Sequence, residues 1–430
     1  MNYFKQVWYE MRQQPLVTWV NIAGTAISIF LIMALVMIEK VDTVDAAPEV
    51  NRSRTLVGVY IHMRSTENDG NECSGSLSLE TAHRLYDNRD GVEVYSFGKG
   101  YNDNSDVNMP RGTINSLEVK GIDENFWKIY SFDFLKGQPF TAAQVKAGEK
   151  RAIITDRVAF LLAGNADILG KEIHINHLPY VVSGVVKTGS PLLKQSFADI
   201  YIPYVENPQE IWKTYLGQSQ ATLLLKEGVS PEDIKKEVER RYAVWNDRLR
   251  KEESREFVYH RLPYTAEEMA SQTGSNQDPD DVDKGKWTKW ITYGILLLVP
   301  ALNLSGMTRS RLRRRVSEIG VRRAYGATRL RIVGELLTEN FLLTLAGGLI
   351  GLILSVVFIM CFSHLFVDFL GWNDASGGKG SSTPAFNMFF TWGAFLTVLL
   401  LCFILNILST GIPAWKASRV NPAEAITTRR

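Results

Sequence analysis

Few residues in this 430-residue chain could do chemistry, and they are poorly spaced for it. Gly377-Gly378-Lys379-Gly380 offers the glycines and lysine of a phosphate cradle. It lacks the upstream glycine and preceding strand of the pattern GxxxxGK[ST], so nucleotide hydrolysis by this chain is not expected. His174 and His177 form the close histidine pair, but three residues apart on a strand they point to opposite faces and share no metal. The residues around Arg157 form no nucleophile constellation, which leaves no catalytic residue to name. Near the apolar runs, Glu39, Glu339, His364 and Asp368 all sit at the edges, so a proton or ion relay across a bilayer lacks its parts.

What remains is a basic cluster: Arg309, Arg311, Arg313, Arg314, Arg315, Arg322, Arg323, Arg329 and Arg331, between the apolar runs Trp287–Met307 and Phe341–Phe366. That density marks a cytoplasmic loop. The loop also carries helical punctuation. Ser317–Tyr325 can form a short helix, Gly326 is placed to end it in the left-handed conformation, and Thr328 can cap a second helix that leads to the membrane. A loop that only fixed orientation would need no such order.

The elements that must position this loop are apolar runs. The mean hydropathy of −0.07 resembles that of a soluble protein, but it averages four runs of membrane-spanning length with a long charged middle. The reading is an α-helical membrane protein with four transmembrane helices and a large extracytoplasmic α+β domain. Residues 1–15 form a cytoplasmic interfacial helix, with Phe4, Val7, Trp8 and Met11 on one face. The spans are 16–38, 287–307, 339–366 and 386–412; 308–338 is the cytoplasmic loop, 367–385 an outer loop and 413–430 a cytoplasmic tail. The first run exceeds the apolar core of a signal peptide, so it is expected to be retained. In the second, Trp287 and Trp290 sit at the outer boundary, and Pro300 and Asn303 interrupt the inner half. In the third, Gly347, Gly348 and Gly351 allow close helix approach; Gly347 and Gly351 serve a dimer or a contact within one chain equally well.

Acidic residues outnumber basic ones in the 39–286 insert, whereas the segments placed inside are basic, which puts the insert outside. It shows no polyanion-binding patch, so nucleic acid is not an expected partner. Of the three cysteines only Cys73 lies in the insert, and no disulfide can form within it. The insert reads as a porter-like lobe, about 50–115 and 220–265, and a β-rich lobe, about 116–219. In the first, Thr55–Met63, Leu79–Asp87 and Val92–Phe97 read as strand, helix, strand, and Ala221–Leu225, Pro231–Arg248 and Glu256–Arg261 repeat the order. Two such βαβ units can share one sheet. In the second, Ser116–Ile122, Arg151–Thr155, Lys171–Ile175, Tyr180–Val186 and Ile200–Pro203 are strands, with turn signals at Asn176-His177 and Gly184. Gly274–Asp281 is the exit linker.

The run Glu318-Ile319-Gly320-Val321-Arg322-Arg323-Ala324-Tyr325-Gly326-Ala327-Thr328, with Arg331-Ile332 and Leu336–Asn340 after it, closely resembles the cytoplasmic signature of MacB/FtsX-type ABC transporter permeases. Phe126–Phe140 looks like the aromatic-rich segment of their outer domains, and Gly170–Lys187 looks like their hairpin. The tail, at Pro413-Ala414, Ala417 and Asn421–Ile426, is similar too. The resemblance covers almost the whole chain. It implies a permease that pairs with a second copy or a paralogue and docks a cytoplasmic ABC ATPase through the loop. ATP and magnesium would then be bound by the ATPase, with no cofactor in this chain. Because MacB proper carries its ATPase in the same chain, the ATPase here is expected to be a separate polypeptide.

The resemblance implies mechanotransmission, in which ATP turnover moves the outer domain to export or extract an amphiphilic cargo such as a lipoprotein, peptide or drug. A periplasmic adaptor and outer-membrane channel would accompany export. The alternative is an FtsX-like regulator whose outer domain activates a partner such as a cell-wall hydrolase. The coupling residues it implies are Glu318, Ile319, Gly320, Val321, Arg322, Arg323, Ala324 and Gly326.

Overall fold

The computed structural model describes residues 15–41, 43–67, 72–87, 90–108, 114–164, 167–191, 193–205, 215–271, 283–295 and 325–369, and 392–393, 395–400, 403–404, 407 and 415 beyond them. Residues 1–14 of the interfacial helix, the exit linker, Pro300 and Asn303, the outer loop beyond Phe369 and most of the tail lie outside the described residues; residues 367–369, expected in the outer loop, continue the helix that begins at Arg329. The chain divides into two units, one of residues 1–40, 286–362 and 389–430, whose described residues are largely helical, the other of residues 41–285 with 363–388.

In the helical unit, α1 spans Pro15–Val41, and the last long helix, α8, spans Arg329–Phe369. Thr18–Val36 and Phe341–Phe358 within them are long and apolar enough to cross a membrane. Residues 283–295 are also helical, with Trp287 and Trp290 exposed.

The second unit holds β1 (Thr55–Gly58), β2 (Tyr60–Ser65), β3 (Glu72–Ser76), α2 (Leu79–Tyr86), β4 (Val92–Lys99), β5 (Asp103–Asn108), β6 (Ile114–Ile122), α3 (Phe126–Ile129), β7 (Phe134–Gly137), α4 (Ala142–Lys146), β8 (Arg151–Thr155), α5 (Asp156–Ala163), β9 (Glu172–Ile175), β10 (Leu178–Val186), β11 (Ile200–Pro203), β12 (Ser219–Leu225), α6 (Pro231–Glu252), β13 (Arg255–Val258), β14 (Tyr264–Thr265) and α7 (Ala266–Ser271).

The porter-like lobe departs from the sequence reading in two ways. Thr55–Met63 is not one strand: it breaks at Val59 into β1 and β2, which enter different sheets. The Tyr86 ring lies over Gly58, where an added Cβ would come within 2.5 Å of Tyr86 Cζ, so the backbone changes course where only glycine fits. Nor do the two strand-helix-strand units line up side by side. The order is β14-β1-β12-β4, with antiparallel β12 between β1 and β4, while β13 joins β2 and β3 in a separate sheet. This interleaving is the split βαβ arrangement.

Local sequence explains the helices. Ser78 caps α2 through Thr81 N, and Ser230 caps α6, with Pro231 in its first turn. Ile234, Val238, Tyr242 and Leu249 are buried along α6 at helical spacing, and Asn246 exchanges two 2.7 Å hydrogen bonds with the Phe257 backbone of β13.

In the second lobe the strand order is β7-β10-β8-β11-β6-β5-β9, and β9 also pairs with β10, so six strands close into a barrel with β7 added outside. Asn176 and His177, at φ 47° and 66°, form the two-residue turn between β9 and β10. Gly184, read as a turn, sits inside β10 where its register against β8 shifts.

Strand β12 joins the lobes because all its residues are buried. Ala221, Leu223 and Leu225 face the core under α2 and α6, and Leu224 faces a cluster of Phe126, Tyr130, Phe140 and Tyr201. Trp127 and Phe132 complete edge-on ring contacts there at 5.3–5.4 Å. Asp123 accepts hydrogen bonds from Ser96 Oγ (2.6 Å), Phe97 N (2.7 Å) and Phe126 N (3.0 Å), which ties β4 to the start of α3.

Beside this joint lies a buried charged network. Glu49 accepts from Arg52 Nε at 2.7 Å and from Ser196 N and Oγ at 2.9 and 2.8 Å. Lys120 is 4% exposed and donates to Asn102 Oδ1 at 3.2 Å. Burial pushes its ammonium down to about 8 against the pull of Glu49 and Glu118. With a folded value below its ordinary 10.5, Lys120 makes the native state bind fewer protons than the unfolded chain between these limits. Its contribution to stability is complete above pH 10.5 and is lost as pH falls through 8. Urea unfolding of the full chain, followed by tryptophan fluorescence, should therefore show stability rising from pH 8 toward 9.5 in the native protein relative to Lys120→Met. The total available is about 3 kcal/mol, and parallel pH profiles for the two proteins would show that Lys120 is not the titrating group.

Candidate functional site

The coupling segment meets α8 at Tyr325-Gly326-Ala327-Thr328. Glu318, Ile319, Gly320, Val321, Arg322, Arg323 and Ala324 lie outside the described residues. Gly326 does not: it has φ +89°, in the left-handed region, with nothing within 4 Å of an added Cβ. A side chain there would cost about 1–2 kcal/mol through backbone strain alone. Tyr325 beside it is 89% exposed, with its ring uncovered by the described residues.

Two residues on, Thr328 starts the helix. Its Oγ1 accepts from Arg331 N at 3.4 Å, and its carbonyl accepts from Ile332 N at 3.2 Å. Helix α8 then runs for 41 residues, about 60 Å at 1.5 Å per residue, roughly twice the thickness of a hydrocarbon core. The helix runs without a break from its first turn into the apolar segment Phe341–Phe358.

At that segment the glycines decide the packing. A Cβ on Gly351 would lie 2.6 Å from Ala26 O and 3.1 Å from Ile29 Cβ; one on Gly347 would lie 2.8 Å from Thr25 Cβ and 3.1 Å from Ile22 O. Both residues thus serve a contact within the chain, where α1 covers the face that a second copy could have used. Gly348 turns elsewhere, toward Leu399 Cδ1, 2.9 Å from an added Cβ. Around this notch Ile22, Ala26, Ile29 and Met33 of α1 are at most 6% exposed, and the Phe30 and Phe358 rings meet edge-on at 5.3 Å. Ser355 Oγ donates to Gly351 O at 3.0 Å, which satisfies the hydroxyl without pushing the helices apart.

No catalytic constellation appears among the described residues. His174 makes a surface contact with Glu172 at 3.4 Å, His177 sits in the hairpin turn, and no group of three metal-binding side chains is found among those residues. Asp156, near Arg157, accepts from Thr188 N at 2.8 Å, and Arg157 pairs with buried Asp199. These are structural roles. Sequence reading missed the Arg157–Asp199 pair because its partners lie 42 residues apart and meet only through barrel closure.

Residues 18–241 match the family described as MacB-like periplasmic core domain, and residues 290–422 match that described as FtsX-like permease C-terminal. The chain is 25% identical to the uncharacterized ABC transporter permease YknZ of Bacillus subtilis, over 72% of this chain and 69% of that protein. It is 23% identical to the macrolide export ATP-binding/permease protein MacB of Pasteurella multocida, over 76% of this chain and 46% of that protein. The chain thus spans less than half the length of the MacB protein it matches. The crystal structure of the periplasmic region of MacB from Actinobacillus actinomycetemcomitans aligns with 48% of this chain and 89% of its own at 14% identity, with a TM-score of 0.35.

Replacing Gly351 by valine should destabilise the helical unit by about 1–3 kcal/mol, since the clash is with a backbone carbonyl that no rotamer relieves. Gly334→Ala, in the same helix with nothing within 4 Å, should be neutral or slightly stabilising. Detergent unfolding of the full chain reads both, and equal stability of the two variants would contradict the α1–α8 contact.

Proposed function

The chain belongs to the family of ABC transporter permeases with a MacB-like periplasmic core domain and an FtsX-like C-terminal region, and on that premise we propose that it converts ATP turnover by a separate ATPase into movement of its outer domain. It is a membrane protein with a large extracytoplasmic α+β domain. In this reading four helices span the membrane, both ends and the Arg309–Arg331 loop face the cytoplasm, and two permease copies, or one and a paralogue, act together. Ser317–Tyr325 docks on the ATPase, with Ile319, Val321 and Ala324 as its apolar centre and Glu318, Arg322 and Arg323 around it. Gly320 keeps the surface close, and Gly326 sets the angle to α8. ATP and magnesium stay with the ATPase, and this chain performs no catalysis of its own.

The observation that carries this reading is the junction itself: a left-handed Gly326, a Thr328 cap and a 41-residue helix pressed backbone to backbone on α1. An uninterrupted helix is a poor device for conducting cargo but a good one for transmitting displacement. The cargo is taken to be amphiphilic and exported or extracted on the outer side; export of macrolides is named for the MacB relatives. A periplasmic adaptor and an outer-membrane channel belong to this proposal as partners of the outer domain.

Ile319→Asp should abolish co-purification of the ATPase with the permease while leaving the permease inserted, whereas Arg313→Gln should retain it. Normal ATPase recovery and turnover with Ile319→Asp would refute docking at this helix. Orientation is tested separately with cysteines at positions 100 and 313 in a background free of native cysteine. An impermeant reagent on intact cells should label only position 100, and labelling of position 313 alone would reverse the topology.

A further inference from the structure

Residues 43–54 carry the chain from the end of α1 to the start of β1, so a movement that enters the outer domain along α1 enters through them. Of these residues only Pro48, Glu49 and Arg52 are buried. Two of the three are charged. Apolar burial therefore does little to hold the segment, and its polar bonds decide what it is attached to.

On the porter side the segment is fixed at its far end. Arg54 Nη1 donates to Leu225 O of β12 at 3.1 Å, and Thr55 opens β1, which pairs with β12. On the barrel side it is fixed in its middle, at two neighbouring residues. Pro48 O accepts from Ser131 N at 2.8 Å, and Glu49 Oε1 accepts from Ser196 N and Oγ at 2.9 and 2.8 Å. The other Glu49 oxygen accepts from Arg52 Nε at 2.7 Å, back within the segment. The carboxylate is 2% exposed with both oxygens in use, and it links its own segment to the loop between β10 and β11.

The two barrel-side attachments differ in what they can hold. The single backbone bond at Pro48 is a pivot about which a lobe can swing. Glu49, bonded to a different part of the lobe, removes that freedom. Hydrogen bonds to an ionised acceptor are short and strong, and directional enough to fix an angle, which apolar surfaces sliding on one another are not. Resting on the coupling reading above, we propose that Glu49 is a positioning residue for transmission: its bonds to Ser196 make the barrel lobe follow residues 43–54, so that displacement of α1 turns both lobes of the outer domain together.

The test is pulsed electron spin distance measurement on the permease with its ATPase in nanodiscs, in a background free of native cysteine. Labelled permease is diluted with unlabelled so that distances are read within one copy. Labels replace the exposed residues Ile27 of α1, Val50 of the segment, Phe160 of the barrel lobe and Val244 of the porter lobe. In the otherwise native sequence the 27–160 distance should change between the nucleotide-free and vanadate-trapped states, while 50–160 and 50–244 stay fixed. Glu49→Gln keeps the size of the side chain and loses its charge; Ser196 N and Oγ keep Leu193 O as an acceptor at 3.1 and 3.3 Å, so the loop retains its turn. In this variant the 50–160 distribution should widen roughly twofold on trapping, with 50–244 unchanged and ATP turnover retained. Ser196→Ala should act in the same direction and less, and the two changes together should not add, because both act on one contact. Equal 50–160 distributions in the native and Glu49→Gln proteins, with a 27–160 distance that does respond, would overturn this inference alone. Widening of 50–160 and 50–244 alike, with and without nucleotide, would overturn it in favour of a merely structural role. A native 27–160 distance indifferent to nucleotide would overturn the coupling reading, and this inference with it.

Discussion

The helical unit depends on one close approach, that of Gly351 to Ala26 O, supported one turn earlier by Gly347 against Thr25 and Ile22 O. In a lipid environment helices gain little from burying apolar surface, because lipid tails are equally apolar, and they associate where small residues let backbones touch. A contact made by backbone atoms has no rotamer through which to relax. The α1–α8 contact is therefore fixed by backbone geometry. The chain of α1 continues into the extracytoplasmic unit within a few residues of Val41, at the segment that holds Glu49 and Arg52.

That segment meets the second constraint, which is the burial of β12 on both faces. Its alternate residues belong to two cores, one beneath α2 and α6 and one made of the aromatic side chains from Phe126 to Phe140 with Tyr201. The lobes are joined by shared apolar surface and are kept in register by polar contacts, with Asp123 tied to Ser96 and Phe97 and Glu49 tied to Ser196. Burial pushes the Asp123 carboxyl up to about 6 despite three donors. Such joints yield as bodies and not residue by residue.

Several features could be read from sequence because their causes are local. The Asn176-His177 turn needs two residues with positive φ, and asparagine tolerates that conformation. Ser230-Pro231 at the start of α6 and Thr328 at the start of α8 announce helices through the hydrogen bonds that their hydroxyls can offer. Gly326 announces a left-handed residue between two helical patterns. Gly184 misled because a glycine inside a strand marks a register shift as readily as a turn. Thr55–Met63 misled because its apolar alternation continues across Val59 while its pairing partners change there.

The sequence by itself determined the division into apolar spans and a charged insert, the outward placement of that insert, and the punctuation of the loop that leads into α8. Hydrophobic length, charge bias and capping are properties of contiguous residues, and so they survive without a structure. The tertiary structure alone decided that Gly347 and Gly351 face α1, that β12 separates β1 from β4, and that β9 closes the barrel onto β10. It also decided that Glu49 meets Ser196, 147 positions away. Each of these rests on residues tens to hundreds of positions apart, whose meeting depends on how whole elements pack, and packing is set by shape and shared burial that no local pattern encodes.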